Sequence, residues 1–265
     1  EINLGDGEKQ YLYYDDSILL KRLSLYPYVQ LGVMVLFVLI VYFALISTKK
    51  AEQNKVWVGL SKETAHQLGT PISSLMAWMD LLESSGVDPS LLSDMNKDVN
   101  RLSIIAERFS KIGSKPEMEL IYVNEVLENA TEYMRRRVSD KVLITTHLPS
   151  DAEGAMVCLS LFEWVIENLC KNAVDAMNGE GRIDVYMTSE KQQIYIDIKD
   201  TGKGIARKNF KTVFNPGYTT KKRGWGLGLT LAKRIIEDYH AGRIYVKDSE
   251  VGKGTTFRIE LKRVV

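Results

Sequence analysis

His66 stands in the run Thr64-Ala-His-Gln-Leu-Gly-Thr-Pro71, followed directly by Gln67 and, one helical turn on, by Thr70. A neutral imidazole nitrogen is a nucleophile. An exposed helical histidine is ordinarily a solvated surface residue, and alone it would be read that way. Its setting argues otherwise: Pro71 cannot donate to the Gln67 carbonyl and its ring crowds that carbonyl, so the helix is expected to bend beside His66. Further on, Asn168 and Asn172 are spaced i, i+4 with Lys171 between them. That spacing puts two amide oxygens on one helical face, able to meet a hard cation, with a lysine at hand for phosphate. A polar solvent face would explain them as well. Asp200-Thr-Gly-Lys-Gly-Ile205 follows an apolar strand pattern. Asp200 could accept from an amino group, while Gly202 and Gly204 leave room for a flat ligand beside Ile205. Thr219, Thr220, Lys221 and Lys222 then lead into Gly224, Gly226, Leu227, Gly228 and Leu229 ahead of a helix expected over 230–239. Glycines before a helix start expose backbone N–H groups to an anion and permit a mobile lid. Gly252-Lys-Gly-Thr255 closes the series as a tight turn into a last strand. The Walker pattern and the protein-kinase H-R-D and D-F-G signatures do not occur.

These residues need elements to hold them. Trp57, Leu60, Thr64, Leu68, Ile72, Leu75, Met79 and Leu82 recur at three- and four-residue steps, and so do Leu92, Met95, Val99, Leu102, Ala106 and Phe109. With the turn-rich break Ser84-Ser-Gly-Val-Asp-Pro89 between them, they predict a helical hairpin. Such a hairpin buries too little surface to stand alone, so pairing into a four-helix dimer is expected. His66 lies about 200° around the helix from Leu68 and should face solvent. The remainder predicts helices over 123–137 and 159–177, and strands over 142–148, 182–188, 193–199, 243–247 and 255–261. The expected architecture is an α+β layer of helices on a mixed sheet. His147 reads as a strand residue, and His240 as a helix-end residue where a cation suits the dipole.

Upstream, no Asp, Glu, Lys or Arg occurs from Leu23 to Thr48. Crossing a hydrocarbon core of roughly 30 Å takes about 20 helical residues, so this stretch predicts a membrane span with Tyr26, Tyr28 and Tyr42 as interface anchors. A buried core helix or a signal segment is the competing reading. Lys49, Lys50 and Lys55 follow the span, while Lys21 and Arg22 precede it among acidic residues, which favours a cytoplasmic C-terminal side. The chain opens at Glu1, and an outer sensor region upstream is expected. The net charge of +1 from 35 basic and 34 acidic residues argues against a nucleic-acid coat, and two cysteines are too few for a disulfide framework.

Taken in order, the Asn168/Asn172 helix, Asp200-Thr-Gly-Lys-Gly-Ile205, the Gly224–Leu229 run and Gly252-Lys-Gly-Thr255 closely resemble the GHKL (Bergerat-type) ATP-binding fold. With His66-Gln-Leu-Gly-Thr-Pro71 upstream in a helical hairpin, the chain resembles membrane-bound sensor histidine kinases of bacterial two-component systems. The resemblance implies a multidomain chain: an extracytoplasmic remnant over 1–24, a transmembrane helix over 25–47 and a juxtamembrane linker over 48–56. A HisKA-type dimerisation and phosphotransfer domain would occupy 57–114, and the ATP-binding domain 117–265. It also implies an inner-membrane homodimer in contact with lipid, with its kinase domains in the cytoplasm, using ATP and magnesium.

Carried onto matching positions, the resemblance makes His66 the phospho-acceptor. Asn172 would ligate Mg²⁺ with support from Asn168, and Lys171 would touch phosphate. Asp200 would bind the adenine amino group, Gly202, Gly204, Ile205 and Thr255 would line the site, and Thr219 to Gly228 would form the lid. The phosphoryl group would pass to an aspartate on a response-regulator receiver domain. Thr70 matches the position that, in the family, places water for dephosphorylating the regulator. Asn168 stands where hydrolytic relatives carry a glutamate base, and an amide cannot take that proton. One departure bears on mechanism. The family's acidic residue after the histidine is here Gln67, which cannot accept a proton but can fix the ring tautomer, and Gly69 replaces a common basic residue. Alternatives are a phosphatase-dominant or pseudokinase form, an ATPase of the chaperone or topoisomerase kind, and a membrane-tethered dimerisation module without nucleotide.

Overall fold

The computed structural model describes residues 2–3, 9–10, 18–114, 116–220 and 226–264. Two compact units divide the chain, Glu1–Trp57 and Val58–Val265. In the first, β1 (Ile2–Asn3) pairs antiparallel with β2 (Lys9–Gln10), and α1 (Ile18–Ser84) begins. Within α1, Leu25–Lys49 is long and apolar enough to cross a membrane, and none of it is buried in the chain. At 1.5 Å per residue it rises roughly 37 Å, more than the roughly 30 Å of a hydrocarbon core.

The second unit opens with the hairpin. α1 ends at Ser84, Gly86 takes a positive φ of 77°, and α2 (Pro89–Gly113) starts behind Asp88. Asp88 caps it, its Oδ1 accepting from the Ser90 N–H at 2.9 Å, with Pro89 at the first helical position where no N–H is needed. Ile72 and Met79 of α1 pack with Val99 and Ala106 of α2, and Leu68 lies against them. α1 stays helical through Pro71. There the Thr70, Ser73 and Ser74 hydroxyls turn back onto the carbonyls of His66, Gly69 and Thr70.

The rest is a helical layer on a sheet. β3 (Glu119–Tyr122) pairs antiparallel with β5 (Gly154–Val157), a small ladder that the alternation pattern alone did not reveal. β4 (Val142–His147), β6 (Gly181–Glu190), β7 (Gln193–Asp200), β8 (Arg243–Glu250) and β9 (Gly254–Lys262) form one sheet in the order β4-β6-β7-β9-β8. β4 and β6 are parallel and the other neighbours antiparallel, so the sheet is mixed as expected. Alternate residues Ile194, Ile196 and Ile198 of β7 point into the core on the side where the sheet packs against α4 (Leu159–Ala176), whose Leu161, Phe162 and Ile166 are buried as well. α3 (Val123–Arg135) lies beside α4 and buries Val126, Leu127 and Ala130. On the opposite face of β7, Asp197 accepts from the Arg258 guanidinium at 2.6 and 2.7 Å and from Lys247 at 2.6 Å. Burial pushes the Asp197 carboxyl up, but these bonds outweigh it and hold the carboxyl below its ordinary range.

α5 (Gly228–Arg234) passes into a π-helical turn, Ile235–Tyr239, where a continuous α-helix was expected. The turn delivers His240 to the interior, only 6% exposed. Its Nδ1 lies 2.8 Å from the Ile235 carbonyl oxygen, and its Nε2 accepts from the Cys158 N–H at 3.0 Å. Nε2 can accept only when unprotonated, so the ring is neutral, and burial lowers its pKa. His240 is therefore a packed hydrogen-bonding residue and not the dipole-capping cation suggested by its place at a helix end. Both cysteines are free and buried, and burial pushes the Cys170 thiol up to about 12.

Candidate functional site

α4 carries Asn168, Lys171 and Asn172 along the flank of its core face, where Phe162, Ile166, Leu169, Cys170 and Ala173 are buried. The Asn172 amide nitrogen donates to Asn168 Oδ1 at 3.5 Å, and Lys171 is exposed. Gly228, the first residue of α5, sits directly over Asn168. A Cβ at position 228 would come within 2.5 Å of Asn168 Oδ1, so a larger residue there would have to push the Asn168 amide aside. The fold thus brings the asparagine pair and the glycine-rich run together from some 60 residues apart.

Asp200 ends β7 and is 3% exposed. Its Oδ1 accepts from the Gly202 N–H at 2.8 Å and the Thr255 N–H at 3.3 Å. Burial pushes this carboxyl above the usual carboxylate range, and the two backbone donors oppose the push. One oxygen is fully engaged and the other has no partner among the described residues, so the side chain is held ready to accept one more hydrogen bond. Thr255 is buried, and its role here is to support Asp200 through its N–H while its hydroxyl meets Ser249 at 3.0 Å. Gly202 and Gly204 face the protein's own chain: added Cβ atoms would meet Ala176 at 2.8 Å and the Glu250 carbonyl oxygen at 2.1 Å. Both loops are locked by backbone bonds, Lys203 N–H to Ala176 and Gly252 N–H to Lys203, at 3.0 and 2.8 Å. The Ile205 N–H donates to Ser249 at 2.8 Å.

The expected lid has a closed neck. The Gly217 N–H donates to the Gly226 carbonyl at 3.2 Å. Thr219 and Thr220 are exposed, and Thr220 Oγ1 accepts from Lys203 Nζ at 2.9 Å. Leu227 precedes α5 and Leu229 lies within its first turn. Lys221 and Gly224 fall outside the described residues.

His66 is exposed on α1, as its phase demanded. An open groove of about 880 Å³ runs past it between α1 and α2, lined by Lys62, Glu63, Thr70 and Glu107 among others. The Gln67 amide nitrogen donates to Glu63 Oε1 at 2.6 Å, and the Thr70 hydroxyl to the His66 carbonyl at 3.4 Å. A further set of contacts carried no periodic signal. Arg108 of α2 makes a bidentate bond to Glu167 of α4 at 2.9 and 2.7 Å. Phe109 meets Trp164 edge-on, and the Tyr239 hydroxyl donates to the Ile112 carbonyl at 2.6 Å. These tie the end of the hairpin to the helix that carries Asn168.

Residues 157–265 match the family described as histidine kinase-, DNA gyrase B- and HSP90-like ATPase. The C-terminal part of this chain is an ATP-binding domain of that GHKL type. Among curated relatives, sporulation kinase A of Bacillus subtilis (strain 168) is 26% identical over 220 residues, covering 81% of this chain and 36% of its own. The chain thus spans about a third of that relative's length. Among solved structures, full-length ShkA in complex with AMPPNP superposes with a TM-score of 0.60 at 19% identity, covering 78% of this chain and 46% of that one. Histidine kinase ThkA in complex with response regulator protein TrrA gives 0.53 at 19%, covering 82% and 64%. At these identities the superpositions speak for the fold. Sensor histidine kinase ZraS of Salmonella typhimurium is 26% identical over 226 residues, covering 82% of this chain and 48% of its own. Within the matched residues, Asn168 and Asn172 of α4 meet the start of α5 at Gly228, and Asp200 ends β7.

Proposed function

We propose that this chain is the core of a membrane-bound sensor histidine kinase. In this reading it acts as a homodimer, phosphorylates itself on His66 with Mg-ATP, passes the phosphoryl group to an aspartate of a response-regulator receiver domain, and also removes it again. The carrying observation is the approach of Gly228 to Asn168 on α4, with Asp200 at the end of the strand packed on that helix, in the same unit as an exposed histidine on a hairpin helix. Asp200 would accept from the adenine amino group through its unengaged oxygen. Lys171 would meet phosphate, and the backbone from Gly226 to Leu229 would offer N–H groups to it.

The donor set suits a magnesium ion that arrives with the nucleotide. Asn168 and Asn172 supply neutral amide oxygens, and among the described residues no cluster of three or more His, Cys, Asp or Glu exists to hold a resident ion. Magnesium ordinarily keeps waters and phosphate oxygens in its shell, so one or two protein oxygens are enough. Asn168 cannot deprotonate water, which favours transfer to a histidine over hydrolysis. Positioning and charge stabilisation then do most of the catalysis.

Dimerisation is supported by the hairpin's own stripe: Leu75, Leu82, Met95 and Leu102 remain 36–45% exposed in a single chain. Leu25–Lys49 would anchor the dimer in the inner membrane, in contact with lipid and with the kinase domains in the cytoplasm. The test is γ-labelled ATP with the full chain in detergent or vesicles. Acid-labile, base-stable label that vanishes in His66→Gln is expected, and absence of label from the wild-type chain under every activating condition overturns the reading. A phosphatase-dominant form is the second reading, favoured by Gln67, whose amide is turned to Glu63. Regulator dephosphorylation without self-labelling would establish it.

A further inference from the structure

We propose that Glu63 supplies, from one turn earlier on α1, the carboxylate that serves the His66 ring, and that Gln67 holds it there. The proposal rests on the reading of His66 as phospho-acceptor. At about 100° per residue, Glu63 lies between His66 and Gln67 in angular phase, about 60° from the first and about 40° from the second. Helical side chains lean toward the N-terminus, so both His66 and Gln67 lean over the turn that carries Glu63. The Gln67 amide accordingly donates to Glu63 Oε1 at 2.6 Å, and Glu63 and His66 line the same groove.

The other charged groups of that groove are otherwise committed or of the wrong sign. Glu107 pairs with Lys111 at 2.9 Å, and Lys62 is a cation. Among the described residues no cation pairs with Glu63, which accepts from the neutral Gln67 amide. Its negative charge is therefore available to the imidazole. The arrangement also accounts for Gln67. A carboxylate at position 67 would stand one turn from Glu63 and repel it, whereas an amide donates to Glu63 and restricts its rotamers.

In the transfer step one His66 ring nitrogen forms the N–P bond with its lone pair. The bond from the γ-phosphorus to the bridging oxygen breaks, and that electron pair leaves with ADP. The ring is then cationic, and Glu63 takes the proton from its other nitrogen and releases it to water. Before transfer the same carboxylate, accepting from that N–H, selects the tautomer whose reactive nitrogen is unprotonated.

The experiment uses the full chain as wild type, Glu63→Gln, Glu63→Gln with Gln67→Glu, and His66→Gln. It reads two quantities: the rate of labelling from γ-labelled ATP, and the His66 tautomer from ¹⁵N imidazole shifts without nucleotide. Glu63→Gln is expected to slow labelling about 10²-fold and to turn one dominant tautomer into a mixture, while the double variant recovers most of the rate. An unchanged tautomer in Glu63→Gln overturns the proposal, as does unchanged labelling or failure of the double variant to recover. If wild type itself takes no label, the phospho-acceptor reading falls, and the tautomer measurement still decides whether Glu63 serves the ring. Should Glu63→Gln not fold, Glu63→Asp keeps the charge on a shorter arm, and an intermediate tautomer ratio is expected, with an unchanged one again overturning the proposal.

Discussion

The hairpin and the ATP-binding domain bury their apolar residues to different degrees. In the domain, Ile194, Ile196 and Ile198 on one face of β7 are at most 1% exposed, covered by α4 from the same chain. In the hairpin, Ile72, Met79 and Val99 are buried but Leu75 and Leu102 on the same stripes are 40% and 41% exposed. A sheet with helices on one face closes its core within one chain, whereas two helices cover only part of each other's apolar surface. The ATP-binding domain thus closes its own core, whereas the hairpin leaves apolar surface uncovered, which the proposed dimer would bury.

The largest effect that sharpens this contrast lies in the domain. Ile196→Ala should cost about 4 kcal/mol in urea unfolding, by lost burial plus a cavity, and the loss should not vary with protein concentration. The hairpin should behave in the opposite way. Leu102→Glu should weaken self-association by roughly 100-fold, about 2.7 kcal/mol, leaving the melting of the ATP-binding domain in place. Sedimentation over a concentration series reads it, and an unchanged mass would break the comparison by showing that the exposed stripe is no interface.

A subtler effect concerns His240. Replacing it by Leu leaves the Cys158 N–H unpaired and should cost about 2 kcal/mol at pH 7.5. Its folded pKa is lowered, so the unfolded chain takes up the proton first as pH falls below about 6.5. The stabilisation is present above that pH and lost as pH falls toward the folded value. The gap between wild type and His240→Leu should therefore narrow from pH 7.5 to 5.5. The smallest effect tests the link between the two regions. A double-mutant cycle on Arg108→Ala and Glu167→Ala should give a coupling of about 1 kcal/mol for this part-buried bidentate pair. A value near zero would mean that the hairpin end and α4 are energetically independent.

Local pattern accounts for much of what was legible. The two helices of the hairpin, the break before Pro89, the outward phase of His66 and the alternation of β6, β7 and β9 depend on neighbours within a few residues, and the structure agrees with each, although only part of the hairpin's apolar stripe is buried. The π-helical turn at Ile235–Tyr239 was not legible, because an α pattern and a π turn share the same apolar residues over so short a span. His240 does end a helix as its position suggests, but its neutral state was not legible, because the Cys158 N–H that donates to it comes from some 80 residues earlier. The β3–β5 ladder escaped because each strand has four residues, too few for alternation to speak.

By itself the sequence determined the faces: which side of α1 carries His66, which side of α4 carries Asn168 and Asn172, and which strand ends in Asp200. These follow from helical and strand periods, which any short segment expresses. Only the tertiary structure decided who meets whom across those faces. Gly228 over Asn168, Thr255 on Asp200, and Arg108 on Glu167 depend on sheet register and helix packing, set by the core as a whole. The Glu63–Gln67 bond stands between the two, local in sequence yet dependent on which rotamers the groove allows.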